Sequence, residues 1–138
     1  MPNTNSRTHS VLAALLLCTA FAARAETLHY GPEVVTLHGT LEKKTFYGAP
    51  GFGEDPKHDA VEPRYILKLD APVDVVATAA QQKEGIEVAE MAITEITVNE
   101  ADLDAQVGKH AQFRGMLSHA INGHHHTKIL LDPIKTGK

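Results

Sequence analysis

The chain has 138 residues, 43% of them hydrophobic and 22% charged, with 17 Asp+Glu against 13 Lys+Arg for a formal charge of −4. That length suits one compact domain rather than two. The acidic balance disfavours a nucleic-acid partner, because phosphate neutralisation needs a basic stripe and none is visible.

The N-terminus reads as a secretory leader. MPNTNSRTHS carries Arg7 and no acid, residues 11–23 form an apolar run, and ARA closes it at Ala25. This is the n-region, h-region and small-x-small cleavage pattern. The run is shorter than the roughly 20 residues that span a bilayer, and Leu17 before Cys18 is too large for a lipoprotein signal. The expectation is a signal peptide over residues 1–25 and a single domain over 26–138. Removing the leader takes away Arg7, Arg24 and the one cysteine, leaving a formal charge of −6 and no disulfide. Stability would then come from the core alone. The expected location is periplasmic and not membrane-embedded.

Residues 33–47, EVVTLHGTLEKKTFY, alternate with β-forming residues and predict a long strand. Gly39 interrupts the alternation and marks a bulge or a tight bend. GAPGFGEDPKHDAVEP, 48–63, is a long loop, and loops of that length are uncommon unless they serve a function. RYILKLDAPVDVVAT resumes a strand with Tyr65, Leu67 and Leu69 on one face, bent or broken at Pro72. AAQQKEG reads as a short polar connection, and residues 91–98 as a third strand. In NEADLDAQVG, Asn99 is a good N-cap and Gly108 a good C-terminal stop, which predicts a two-turn helix over 100–107. Two β-compatible runs, 109–120 and 124–131, then flank Asn122-Gly123, the pair best suited to a two-residue type I′ turn. The element order is mainly β and matches a small five-stranded OB-like barrel with one short helix between strands 3 and 4. A β-sandwich or an open meander shares that order.

Histidine is the unusual residue type. With a two-residue turn at Asn122-Gly123, His119 pairs with His126, and His119, His124 and His126 share one face while His125 points the other way. Three neutral imidazoles on one hairpin could bind Zn²⁺ or Cu²⁺, and protonation near pH 6 offers a switch. The competing reading is structural: the turn sets the strand register, and at least one imidazole is buried and hydrogen-bonded. Catalytic signatures are absent from the sequence, with no nucleophile elbow, HExxH or paired carboxylates.

The long loop is the other notable feature. Phe46, Tyr47 and Phe52 stand beside Glu54, Asp55 and Asp59. One reading makes Phe46 core and the rest a cap; the other makes the loop a protein-recognition surface, since aromatics are enriched at hot spots. On the second reading the contact residues are Tyr47, Phe52, Glu54, Asp55 and His58.

VTLHGTL, TFYGAPGFGEDPKHDAVEPRYILKLDAPVDV and GKHAQFRGMLSHAINGHHHTKILL together resemble a family of small exported bacterial proteins known as a domain of unknown function. Its members close on a Gly-His-His-His-Thr hairpin. The chain departs at GAPGFGED, where a Gly-Pro-Pro-aromatic run is typical, and at APVDV, where a cysteine often follows the proline. The resemblance implies no enzymatic role. Size, export and the missing catalytic set are also similar to periplasmic immunity proteins that neutralise type VI secretion effectors such as lipases. The sequence therefore leads to the expectation of a non-enzymatic immunity or inhibitor protein that blocks a secreted toxin sterically. A metal-binding or metal-sensing module is the alternative.

Overall fold

The computed structural model describes residues 24–86 and 88–134. All but the last two residues of the expected leader lie outside them. The fold is mainly β, with six strands in one sheet: β1 (Glu26–His29), β2 (Val34–Tyr47), β3 (Val61–Val76), β4 (Ala89–Val98), β5 (His110–His119) and β6 (Ile129–Pro133). The sheet order is β1-β3-β2-β5-β6-β4, and an additional β3–β4 pairing links β4 back to β3. Thus β3, β2, β5, β6 and β4 each have a strand on both sides. Neighbours are antiparallel except β1–β3 and β4–β6, which are parallel.

Alternation in β2 sends Val35, Leu37 and Leu41 inward, the period-two pattern of a strand with one wet face. The interior is completed by Leu67, Val75, Ile96, Ile129 and Leu131, all fully buried. Truncating one of these leucines or isoleucines to Ala would cost about 2–5 kcal/mol. β2 pairs with β5 through residues 34–40 and with β3 through 39–47, so the strand changes partner at Gly39. A Cβ there would collide with the Lys68 carbonyl oxygen. In β3 the chain runs through Pro72 as one strand, but its register against β4 shifts between Lys68 and Val73.

Four expectations are corrected. The strands number six, not five, because Glu26–His29 adds to the edge of β3; four residues beside an apolar leader give no readable alternation. The polar connection AAQQKEG holds a short helix, α1 (Ala79–Lys83), where Thr78 and Gln81 form a reciprocal capping box. The helix expected over 100–107 is reduced to a 3-10 turn at Asp104–Gln106. Asp102 takes φ +60°, outside the helical range, and the Asn99 side chain bonds to Asp132 instead of capping. The two-residue hairpin at Asn122-Gly123 does not form. β5 and β6 pair from His119↔Ile129, leaving 120–128 as a long connection. Among the described residues no helix is long and apolar enough to cross a membrane.

Candidate functional site: a rim of two interlocked loops

The loop 48–60 begins and ends at a strand pair, Tyr47 opposite Val61, and is organised from within. Gly48 N–H donates to the Ala60 carbonyl at 2.8 Å and Ala60 N–H to that of Ala49 at 2.9 Å, closing its neck. At the centre lies Asp59, which is buried. Its carboxylate accepts backbone N–H bonds from Gly51 at 2.6 Å, Gly53 at 2.8 Å and Asp55 at 3.3 Å. Amides wrapped around an anion are a strong, charge-assisted arrangement. The chain between these amides turns through positive φ at Phe52 (+50°) and Gly53 (+100°). That turn raises the Phe52 ring onto the surface, where it is 51% exposed.

The second loop, 120–128, folds through its own polar groups. His124 N–H donates to the Asn122 side-chain oxygen at 3.0 Å, and Ile121 N–H donates to His125 Nδ1 at 3.0 Å. The other two imidazoles turn towards the first loop and meet at Glu62. An ionised carboxylate only accepts, so His124 Nδ1 donates to Oε1 at 2.6 Å and His126 Nε2 to Oε2 at 2.8 Å. Arg64 Nη2 adds a longer bond at 3.3 Å. The hydrogen bond from His126, then that from His124, holds the Glu62 carboxyl below its ordinary range. Gly48 leaves the space that the carboxylate occupies, since a Cβ there would collide with Glu62 Oε1.

His126 is the anchored member of the triplet. Its side chain is 10% exposed and lies parallel on Phe46, with centroids 4.3 Å apart and planes 2° from coplanar. His124 is half-exposed and stands 5.8 Å from the Phe52 ring, tilted by 59°. Gly123 sits under the same ring, where a Cβ would come within 3.0 Å of Phe52 Cε1. Glu62 bonds and Phe52 packing therefore join loop 48–60 to loop 120–128 as one rim. Beside it, a cavity of about 490 Å³ is bordered by Arg64, Tyr65, Asn99, Asn122, His124 and His125.

The residues expected to contact a partner fall into two groups. Phe52, Glu54, Asp55 and His58 are exposed on the first loop, with His58 Nδ1 bonded to Asp55 at 2.6 Å. Tyr47 is half-buried at the end of β2. Of the expected metal set, His124 and His126 face Glu62, whereas His119 Nε2 faces Glu90 at 3.3 Å. The His119–His126 pairing is absent because His119 pairs with Ile129. Among the described residues no three His, Cys, Asp or Glu side chains converge as a metal site. Sequence reasoning missed Glu62 and Asp59 as organisers. Glu62 was detectable in principle, as an acid directly opposite Phe46 once the two strands are put in register.

No curated protein and no solved structure matches the chain. Residues 94–136, from β4 through the histidine connection and past β6, match the family model of a domain of unknown function (DUF4431), so the family likeness lies in the closing part of the chain and not in loop 48–60.

Proposed function

We propose that the protein is an exported, periplasmic, non-enzymatic binding protein that recognises a protein partner through the rim of loops 48–60 and 120–128. The partner class is a secreted toxic effector of the lipase type, blocked by steric occlusion as an immunity protein would do. The observation that carries this reading is the presentation of Phe52: an exposed aromatic on a loop already ordered around the Asp59 carboxylate. A preorganised anchor avoids the ordering cost of association, and aromatic anchors dominate interface energetics. Exposed Glu54 and Asp55 beside it favour a basic surface and speed encounter.

The pairing cycle supports the same place. Five strands, each with two neighbours and with the third parallel to the fifth, fit an OB-type barrel to which β1 is added. In OB barrels the loops between the first and second strands and between the fourth and fifth flank the ligand face. Loops 48–60 and 120–128 occupy those two positions.

Photo-crosslinking tests the proposal. A benzophenone amino acid replaces Phe52 in one variant and Gln112, an exposed position of β5, in another. In periplasmic extract a discrete adduct is expected from position 52 and none from 112. Equal labelling from both positions, or none from either, overturns it.

A further inference from the structure

Ile66, Thr97 and Leu130 stand in register across β3, β4 and β6. All three are at most 2% exposed, yet they point to the other face of the sheet from Leu67 and Leu131, which belong to the interior cluster. The second loop lies over this row. The Thr97 N–H donates to Thr127 Oγ1 at 3.0 Å, and the two hydroxyls meet at 2.8 Å. Between loop and strands opens the cavity of about 490 Å³, with Thr97 and Leu130 at its floor. Its border is polar and accessible: Asn99, Asn122 and His124 are exposed, and Arg64, Glu100 and His125 are half-buried.

Charge at this border is unevenly compensated. Arg64 Nη2 lies 3.3 Å from Glu62, and its Nη1 donates to the Pro63 carbonyl at 3.1 Å. The Tyr65 hydroxyl donates to Asp104 and the Asn99 amide to Asp132, each at 2.8 Å. His124 Nδ1 donates to Glu62, which leaves Nε2 of the neutral ring as an acceptor. The Glu100 carboxylate has no ionic or hydrogen-bond partner among the described residues. Of the two charged side chains bordering the cavity, one is met by an opposite charge within the protein and the other is not.

We propose that this cavity receives an arginine side chain of the protein partner, with its guanidinium paired to the Glu100 carboxylate and its methylene stem over Leu130. The assignment rests on the rim being the partner-binding surface, and it names the side chain that this surface selects. A guanidinium carries five N–H donors in a planar fork that matches a carboxylate. The remaining donors suit the Asn99 amide oxygen and His124 Nε2 at the same border. Glu54 and Asp55, exposed on the first loop, attract the same sign of charge. An anionic side chain would share Arg64 with Glu62 and lie beside the uncompensated Glu100.

Nuclear magnetic resonance titration of the purified protein with n-butylguanidinium, n-butylammonium and butyrate, at fixed ionic strength, tests this. Butylguanidinium is expected to bind most tightly, with saturable shifts at the amides of Tyr65, Glu100 and His125. Glu100→Gln should weaken it about 10-fold, the scale of one hydrogen bond to a charged group. The melting temperature should stay unchanged in that variant, since the carboxylate bonds to nothing among the described residues. Glu54→Gln should keep wild-type affinity. In the crosslinking assay, Glu100→Gln added to the position-52 variant should reduce the adduct. Butylammonium or butyrate binding as tightly, shifts confined to other residues, or wild-type affinity in Glu100→Gln overturns the proposal. No adduct from position 52 ends the rim assignment and this one with it, whereas an adduct that Glu100→Gln leaves undiminished ends this one alone.

Discussion

Replacing Asp59 with alanine removes the acceptor around which loop 48–60 is wrapped. Two of its three N–H bonds are short, at 2.6 and 2.8 Å, and the third is long, at 3.3 Å. A hydrogen bond to a charged group contributes about 1.5–3 kcal/mol. Counting only the two short bonds gives ~3–6 kcal/mol, but water reaches these amides once the loop opens, so a loss of about 2–3 kcal/mol in local stability is expected. That corresponds to a roughly 30- to 150-fold larger open population, and to exchange faster by the same factor. Native-state hydrogen exchange reads this at Phe52 and Ala60. Their amides bond to the carbonyls of Gly48 and Ala49 and not to the carboxylate, so they report opening rather than the missing acceptor. Ladder amides around the buried Leu41 and Leu67 should keep their protection. Asp59→Asn, which retains one acceptor oxygen, should fall between. If Phe52 and Ala60 exchange in Asp59→Ala at the wild-type rate, the carboxylate does not organise the loop, and the preorganised display of Phe52 fails with it.

Three further outcomes are expected. The carboxyl of Glu62 is held below its ordinary value of 4.5 by His126 and His124, so the stability it adds is present above that value and is lost as pH falls through the lower, folded one. Glu62→Gln should therefore lose less stability than wild type between neutral pH and pH 3 in denaturant titrations, and parallel acid limbs would refute the assignment. His126→Ala removes a stacked, nearly buried ring and should cost ~1–3 kcal/mol. His124→Ala, half-exposed, should cost well under that in thermal melts, and the reverse order would count against the anchoring role of His126. Calorimetry with Zn²⁺ and Cu²⁺ should find no site tighter than about 100 μM, a binding free energy of only ~5.5 kcal/mol, because two of the three imidazoles donate to Glu62 and the third to Glu90.

Legibility in the sequence followed the range of the interactions. The long strand β2 could be read because Val35, Leu37 and Leu41 alternate with polar residues. The long loop declared itself by its glycines and prolines. The capping box at α1 was present as Thr78-x-x-Gln81, a local signal that the surrounding polar residues obscured. The helix over 100–107 and the Asn122-Gly123 turn failed for the same physical reason. Both rested on local preferences that tertiary partners override: Asn99 bonds to Asp132, and the imidazoles of 124 and 126 reach across to an acid that follows loop 48–60 in the chain. Glu62 and Asp59 carry no motif. Their roles come from what converges on them in space, which one-dimensional spacing does not encode.

The change of partner at Gly39 also bears on the order in which the chain can fold. The second half of β2, residues 39–47, pairs with β3, which follows directly after loop 48–60, so this hairpin needs only local loop closure. The first half, residues 34–40, pairs with residues 110–116 and has no strand to bond until nearly the whole chain is available. Pairings between distant segments form late, because their closure entropy must be met before any contact rewards it. Until then Val35 and Leu37 lie on an open strand edge. The change of partner that lets one strand serve two neighbours thus leaves its N-terminal half exposed through most of synthesis and early folding, and the later arrival of β5 covers it.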